Sequence, residues 1–254
     1  MAPDVAAAGR RINLRGCYNF RDVGGYRAAD GLLTRCRSLY RSDGLHLLTS
    51  ADRKDVGRLG LSSVIDLRTA EEVATLGPVR VGAGVFHLPL ADVLPDDAGA
   101  PCAAEPARIA ESYYATAVAG IDTVQEIFAI LTDPSSYPAV LCCPSGVDRT
   151  GIVTALLLGA AGVPDDVIVG DFAASREAIV RRLGRMRFEH PSAVRVDVDR
   201  FGPGLLGVVP EAMRRFLDLV RAEHGSLTGY ASWIDMAGAI PYLRASLLTA
   251  SSLP

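Results

Sequence analysis

Apolar and polar positions fall in blocks along this chain, and block length separates strands from helices. In "SSVIDLR" (62–68) the apolar run of Val64, Ile65 and Leu67 ends in charge, and "PAVLCC" (138–143) carries no polar side chain beyond its two thiols. Short apolar runs bounded by turn or charged residues predict buried strands. "RSLYRS" (37–42) and "VFHLPL" (85–90) read as two further short strands.

Longer blocks repeat with a helical period. Ile109, Tyr113, Val118, Val124, Ile127 and Leu131 line one broad face of a helix expected from about Ala107 to Leu131. Thr150 to Ala161 is an apolar helix stopped by Gly162 and Pro164. Asp165 or Asp166 caps a further helix expected to reach Arg187, and Pro210 opens one that reaches Glu223. Thr49 or Ser50 caps a helix over Ala51–Leu59. Thr69 with Glu72 three residues on is a capping box. Residues 1–11 read as a loose tail, 91–106 as a surface loop and 188–209 as irregular. Strands separated by helices predict an α/β fold, a central twisted sheet flanked by helices. No linker interrupts the pattern, so a single domain over 1–254 is expected.

The totals narrow the function. A net charge of −3 gives no bulk attraction for nucleic acid or a membrane surface, and neither is expected as a partner. The longest apolar stretch, Gly151–Val163, is too short to span a bilayer, so no integral membrane segment is expected. The opening MAPDVAAAGRRINLRG lacks the apolar core of a secretory signal. Five cysteines (Cys17, Cys36, Cys102, Cys142, Cys143) are an odd number without framework spacing, which fits a reduced, cytoplasmic chain. No CxxC pair or HExxH element supports a metal, and no cofactor is expected. Oligomeric state is not written in the pattern.

The chemistry concentrates in LCCPSGVDRTG (141–151). Cys143 ends an apolar strand, Arg149 follows six residues later, and an apolar helix begins at once. A tight loop before a helix aims successive backbone N–H groups into one concavity, and the helix dipole adds positive potential. Ser145, Gly146, Val147, Asp148, Arg149 and Thr150 are therefore expected to cradle a phosphate, with Arg149 as a bidentate fork. The same potential favours the thiolate of Cys143 and makes it the candidate nucleophile, with a phosphocysteine as intermediate. Thr150 is placed to donate to the sulfur. Cys142 should point to the opposite side of the strand and is read as structural. Two aspartates are candidate general acids, Asp148 inside the loop and Asp66 at the end of "VIDLR".

In NFRDVGGY (19–26), LYRSDGLHLLTSAD (39–52), VIDLRTAEEV (64–73), CPSGVDRTG (143–151) and HGSLTGY (224–230) the chain resembles the cysteine-dependent protein tyrosine phosphatases. It is most similar to their bacterial PtpB-type branch, which includes tyrosine and lipid dual-specificity enzymes. The resemblance implies one α/β domain, metal-independent phosphomonoester hydrolysis, and a helical lid at about 165–209. It also favours Asp148 over Asp66 as the acid, since C-x4-D-R-T is similar to the loop of the myotubularin lipid phosphatases. Two positions depart from the family loop: Cys142 stands for its histidine and Val147 for its lysine. Pro144 also lacks an N–H. Losing a cation there weakens the case for highly charged headgroups. The expected partner is thus a phosphotyrosine protein or a small phosphomonoester such as a nucleotide, sugar phosphate or biosynthetic intermediate. Tyr26, Arg68, Arg181 and Arg185 are candidate substrate contacts, and Arg21–Asp22 is expected to be a structural ion pair. A non-catalytic phosphate-binding module is disfavoured by the retained Cys143, Asp148 and Arg149, and a rhodanese-type sulfur transferase by the Arg149-Thr150-Gly151 ending and the NFRDVGGY segment.

Overall fold

The computed structural model describes residues 9–93, 105–189 and 208–250. Its centre is a five-stranded sheet of β1 (Arg21–Asp22), β3 (Leu39–Ser42), β4 (Ser63–Asp66), β5 (Gly84–His87) and β6 (Ala139–Cys142), in the order β1-β3-β6-β4-β5. β2 (Leu33–Thr34) pairs instead with β7 (Leu248–Thr249). β3, β6, β4 and β5 are mutually parallel, and only β1 runs antiparallel on its edge. The register sets Ser42 and Asp66 on either side of Cys142. The chain therefore leaves β3, β4 and β6 along one line, at the carboxyl ends where open α/β sheets bind their ligands.

β3, β4 and β6 are buried on both faces, as near-continuous apolar strands require, while β5 at the edge is exposed. Leu39, Ile65, Leu141 and Cys143 pack into the larger core, with helices α3 (Pro106–Ala119), α4 (Ile121–Thr132), α5 (Asp148–Ala160), α6 (Asp165–Ala173) and α8 (Pro210–His224). Tyr40, Val64, Val140 and Cys142 pack into a second core with Val56 of α1 (Ser50–Gly57). The period-two alternation thus sends the adjacent thiols to opposite faces. α5 is buried along almost its whole length, which explains why its sequence has no polar stripe. Each fully buried Leu, Ile or Val side chain contributes about 1.5–3 kcal/mol to the fold.

Local signals explain most boundaries. Thr49 caps α1 in a reciprocal box with Asp52, and Thr69 caps α2 (Ala70–Leu76) in one with Glu72. Pro210 sits in the first turn of α8. The helix expected over 107–131 breaks at Gly120 into α3 and α4, whose axes differ by 72°. A β-carbon on Gly120 would lie 2.1 Å from Leu90 Cδ1, so the apolar side chain after β5 occupies the space inside the bend. The helix expected over 165–187 is interrupted at Ala174, giving α6 and α7 (Ser175–Glu189). Two short helices, α9 (Leu227–Trp233) and α10 (Ile240–Leu247), follow α8. Part of the expected lid (190–207), most of the tail (1–8) and much of the loop after Val93 (94–104) lie outside the described residues. Among the described residues, no single helix is long and apolar enough to cross a membrane.

Candidate active site

Residues 143–147 connect β6 to α5, and their conformation depends on Gly146. Its φ is +67°, and a β-carbon there would lie 2.6 Å from Ser42 C and Asp43 N. Only glycine accepts both the left-handed backbone and this approach to the end of β3. The loop carbonyls are tied down on that outer side. Asn19 Nδ2 donates to Ser145 O (3.3 Å) and Gly146 O (2.9 Å). The Arg41 guanidinium donates to Gly146 O (2.8 Å) and Val147 O (3.4 Å). Gly44 N–H donates to Pro144 O at 3.3 Å. Turning carbonyls outward turns peptide N–H groups toward the thiol, and Gly146 N–H donates to Cys143 Sγ at 3.2 Å. With the N-terminus of α5 behind it, the loop is a nest of positive potential closed around a cysteine only 1% exposed.

Arg149, in the first turn of α5, reaches back over α2. Its two terminal nitrogens donate to the two oxygens of Glu72, each at 2.7 Å, and its Nε lies 3.1 Å from Asp92 Oδ2. Burial works against the guanidinium charge, but the Glu72 bonds and the neighbouring Cys143 outweigh it and raise its pKa. The Arg149 hydrogen bonds hold the Glu72 carboxyl below its ordinary range, while burial pushes Asp92 up. Local pattern marks Glu72 only as part of a helix cap and places Asp92 in a loop. Neither residue carries a local signal for pairing with Arg149, since both contacts are made across the fold.

The two acid candidates have different surroundings. Asp148 is raised by burial, against the hydrogen bond it accepts from the Tyr113 hydroxyl. Tyr113 stands edge-on to Phe172 and Phe216, at 6.2 and 6.3 Å between ring centroids. Asp66 instead takes a two-pronged bond from Arg68, Nε to Oδ1 at 2.8 Å and a terminal nitrogen to Oδ2 at 2.6 Å. Arg68 is wholly buried and also donates to Gly77 O. Asp66 and Arg68, the latter a candidate substrate contact, therefore form a buried ion pair.

Other expectations are redistributed for similar reasons. Tyr26 is buried, with its hydroxyl donating to Asp171 (2.9 Å) and the Arg10 guanidinium over its ring. Arg21 pairs with Asp171 rather than with Asp22, which accepts the N–H groups of Gly24 and Arg37. Arg181 donates to Glu177 and to Tyr18 O, and Arg185 to Arg15 O, tying α7 to the N-terminal segment. Thr150 Oγ1 is buried without a hydrogen-bond partner, so the expected bond to sulfur is not made. Val147, where the family loop has lysine, is packed in the larger core. Burial drives the Cys142 thiol well above its ordinary range, as expected of a spectator. No group of described residues has the ligands of a metal site.

A tyrosine phosphatase family model matches residues 12–249. The triple specificity protein phosphatase PtpB of Mycobacterium tuberculosis is 30% identical, over 85% of this chain and 91% of its own. A tyrosine-protein phosphatase of Nostoc commune is also 30% identical, over 53% of this chain and 47% of its own. The solved structure of P. aeruginosa TpbA aligns at 16% identity over 75% of this chain and 94% of that one, with a TM-score of 0.25, too loose to bear on the site. With the family match running over nearly its whole length and the mycobacterial relative beside it, this chain belongs to the tyrosine phosphatase family.

Proposed function

We propose that this chain, a phosphatase by family, hydrolyses phosphomonoesters without a metal, through a phosphocysteine on Cys143, in the cytoplasm and as one catalytic domain. The observation that carries the reading is the loop itself: Cys143 Sγ accepts the Gly146 N–H, and Arg149 stands at the start of the following helix with its fork held by Glu72. The N–H groups of residues 145–150 and the Arg149 N–H groups not taken by Glu72 or Asp92 bind the non-bridging phosphate oxygens. The Cys143 thiolate attacks phosphorus in line, the P–O ester bond breaks, and the leaving oxygen takes a proton from an acid. Water then attacks the phosphocysteine, giving its proton back to the same carboxylate and releasing phosphate and thiolate.

We assign the acid to Asp148, whose raised carboxyl sits in the loop beside Arg149. Asp92 is the competing donor, because it lies against Arg149 and is also raised by burial. Asp66 is left to its ion pair. Phosphotyrosine in a protein is the leading substrate class, supported by the family and by the name of the Nostoc relative. A small phosphomonoester is the second reading, favoured by Val147 lying in the core where the family loop carries a cation. A reducing compartment suits both the thiolate and the four free cysteines among the described residues.

Cys143→Ser tests the reading. Turnover of p-nitrophenyl phosphate should vanish while inorganic phosphate still binds, because the loop and Arg149 remain. Wild-type turnover by this variant would overturn the mechanism.

A further inference from the structure

α6 lies beyond the loop's outer face, and one buried side chain on it reaches two separate arms of the loop's support. Asp171 Oδ2 accepts from Arg41 at 2.5 Å, and the other end of that guanidinium donates to Gly146 O and Val147 O. Asp171 Oδ1 pairs with Arg21 Nε at 3.2 Å, and a terminal nitrogen of Arg21 donates to the Asp171 carbonyl at 2.8 Å. Arg21 also donates to Asn19 Oδ1, and the amide nitrogen of Asn19 donates to Ser145 O and Gly146 O. Tyr26 completes the carboxylate's shell. The arms leave Asp171 by different arginines, from different strands, and meet on the carbonyl of Gly146.

Resting on the phosphate loop proposed above, we infer that Asp171 is a positioning residue for catalysis: through Arg41 and through Arg21–Asn19 it holds the loop carbonyls outward and so keeps the N–H groups aimed at the phosphate. The arrangement has the features of a built support. Asp171, Arg41, Arg21 and Asn19 are all buried, whereas most other ion pairs among the described residues are at least partly exposed. Arg41 Nε has no partner, so the guanidinium is held by its two ends alone, one on Asp171 and one on the loop. A peptide that rotates by a fraction of a turn exchanges an inward N–H for an inward carbonyl, which repels phosphate instead of binding it. The NFRDVGGY and LYRSD segments thereby acquire a shared role, since each supplies one of the two arms.

The experiment compares oxyanion affinity, turnover and melting temperature in the full chain. Wild type is first shown to turn over p-nitrophenyl phosphate and to be inhibited by vanadate. Asp171→Asn, Arg41→Lys and Asn19→Ala are then measured at a temperature where each is folded, beside Leu247→Ala, a core truncation on α10. Lysine at 41 keeps the charge for Asp171 but cannot span carboxylate and carbonyl as a fork does. Each of the three should weaken vanadate inhibition and lower kcat/KM by about tenfold to a hundredfold, while Leu247→Ala melts lower and binds vanadate normally. Variants that melt lower but keep wild-type vanadate affinity and kcat/KM overturn the inference. Absence of vanadate inhibition in the wild type would overturn the loop reading itself, a distinct result.

Discussion

Cys143, Gly146 and Arg149 can be picked out from spacing alone, because the nucleophile, turn glycine and phosphate fork proposed for them follow one another between strand and helix. Their partners cannot. Glu72, Asp92, Asp171 and Tyr113 reach the site from four other segments, and no short-range pattern distinguishes a carboxylate that crosses the fold from one that faces water. Asp66 is the reverse case. Its place at a strand end suggests catalysis, but an arginine two residues away takes both of its oxygens. For the acid, the sign of the pH effect is fixed by chemistry: it must be protonated to donate, so turnover falls as pH rises through its pKa. Burial raises Asp148, which moves that fall upward and toward neutrality. In pH–rate profiles of kcat/KM with an alkyl phosphate, Asp148→Asn should lose the basic limb and Asp92→Asn should keep it. The opposite pattern would transfer the role to Asp92.

At the scale of elements, α6 matters more than its sequence suggests. Its position predicts the start of a lid, yet Asp171 ties it into the fold beside the loop of residues 143–147. Burial alone would raise the Asp171 carboxyl, but Arg21 and Arg41 reverse that and hold it well below the ordinary range. A carboxyl depressed in the folded state contributes its stability above the unfolded pKa of about 3.9 and loses it as pH falls toward the folded pKa. Asp171→Asn should therefore cost about 3–5 kcal/mol at neutral pH, and less at pH about 3, in urea unfolding followed by circular dichroism. A cost independent of pH would show that the ion pairs contribute nothing. Helix boundaries follow local chemistry where caps decide them, as at Thr49, Thr69 and Pro210. They depart from it at Gly120, because the space claimed by Leu90 is a tertiary fact that periodicity along 107–131 does not contain.

For the molecule as a whole, the α/β class is legible because short apolar runs, as in β4 and β6, alternate with helical periods. Strand order is not: β6, late in sequence, enters between β3 and β4. That insertion brings the loop after β6 alongside the ends of β3 and β4. It lets one cysteine draw support from residues 19, 41, 72 and 171 together. If this assembly forms a covalent phosphoryl bond to Cys143, the bond can be trapped. The protein is mixed with a radiolabelled phosphotyrosine peptide in buffer containing EDTA. The mixture is quenched in acid within the first turnover, and the labelled fragment is identified by mass spectrometry. One phosphoryl group is expected on the peptide containing Cys143, undiminished by the chelator and absent from Cys143→Ser. Turnover with no label on that peptide, or label on any other residue, would contradict the phosphocysteine mechanism.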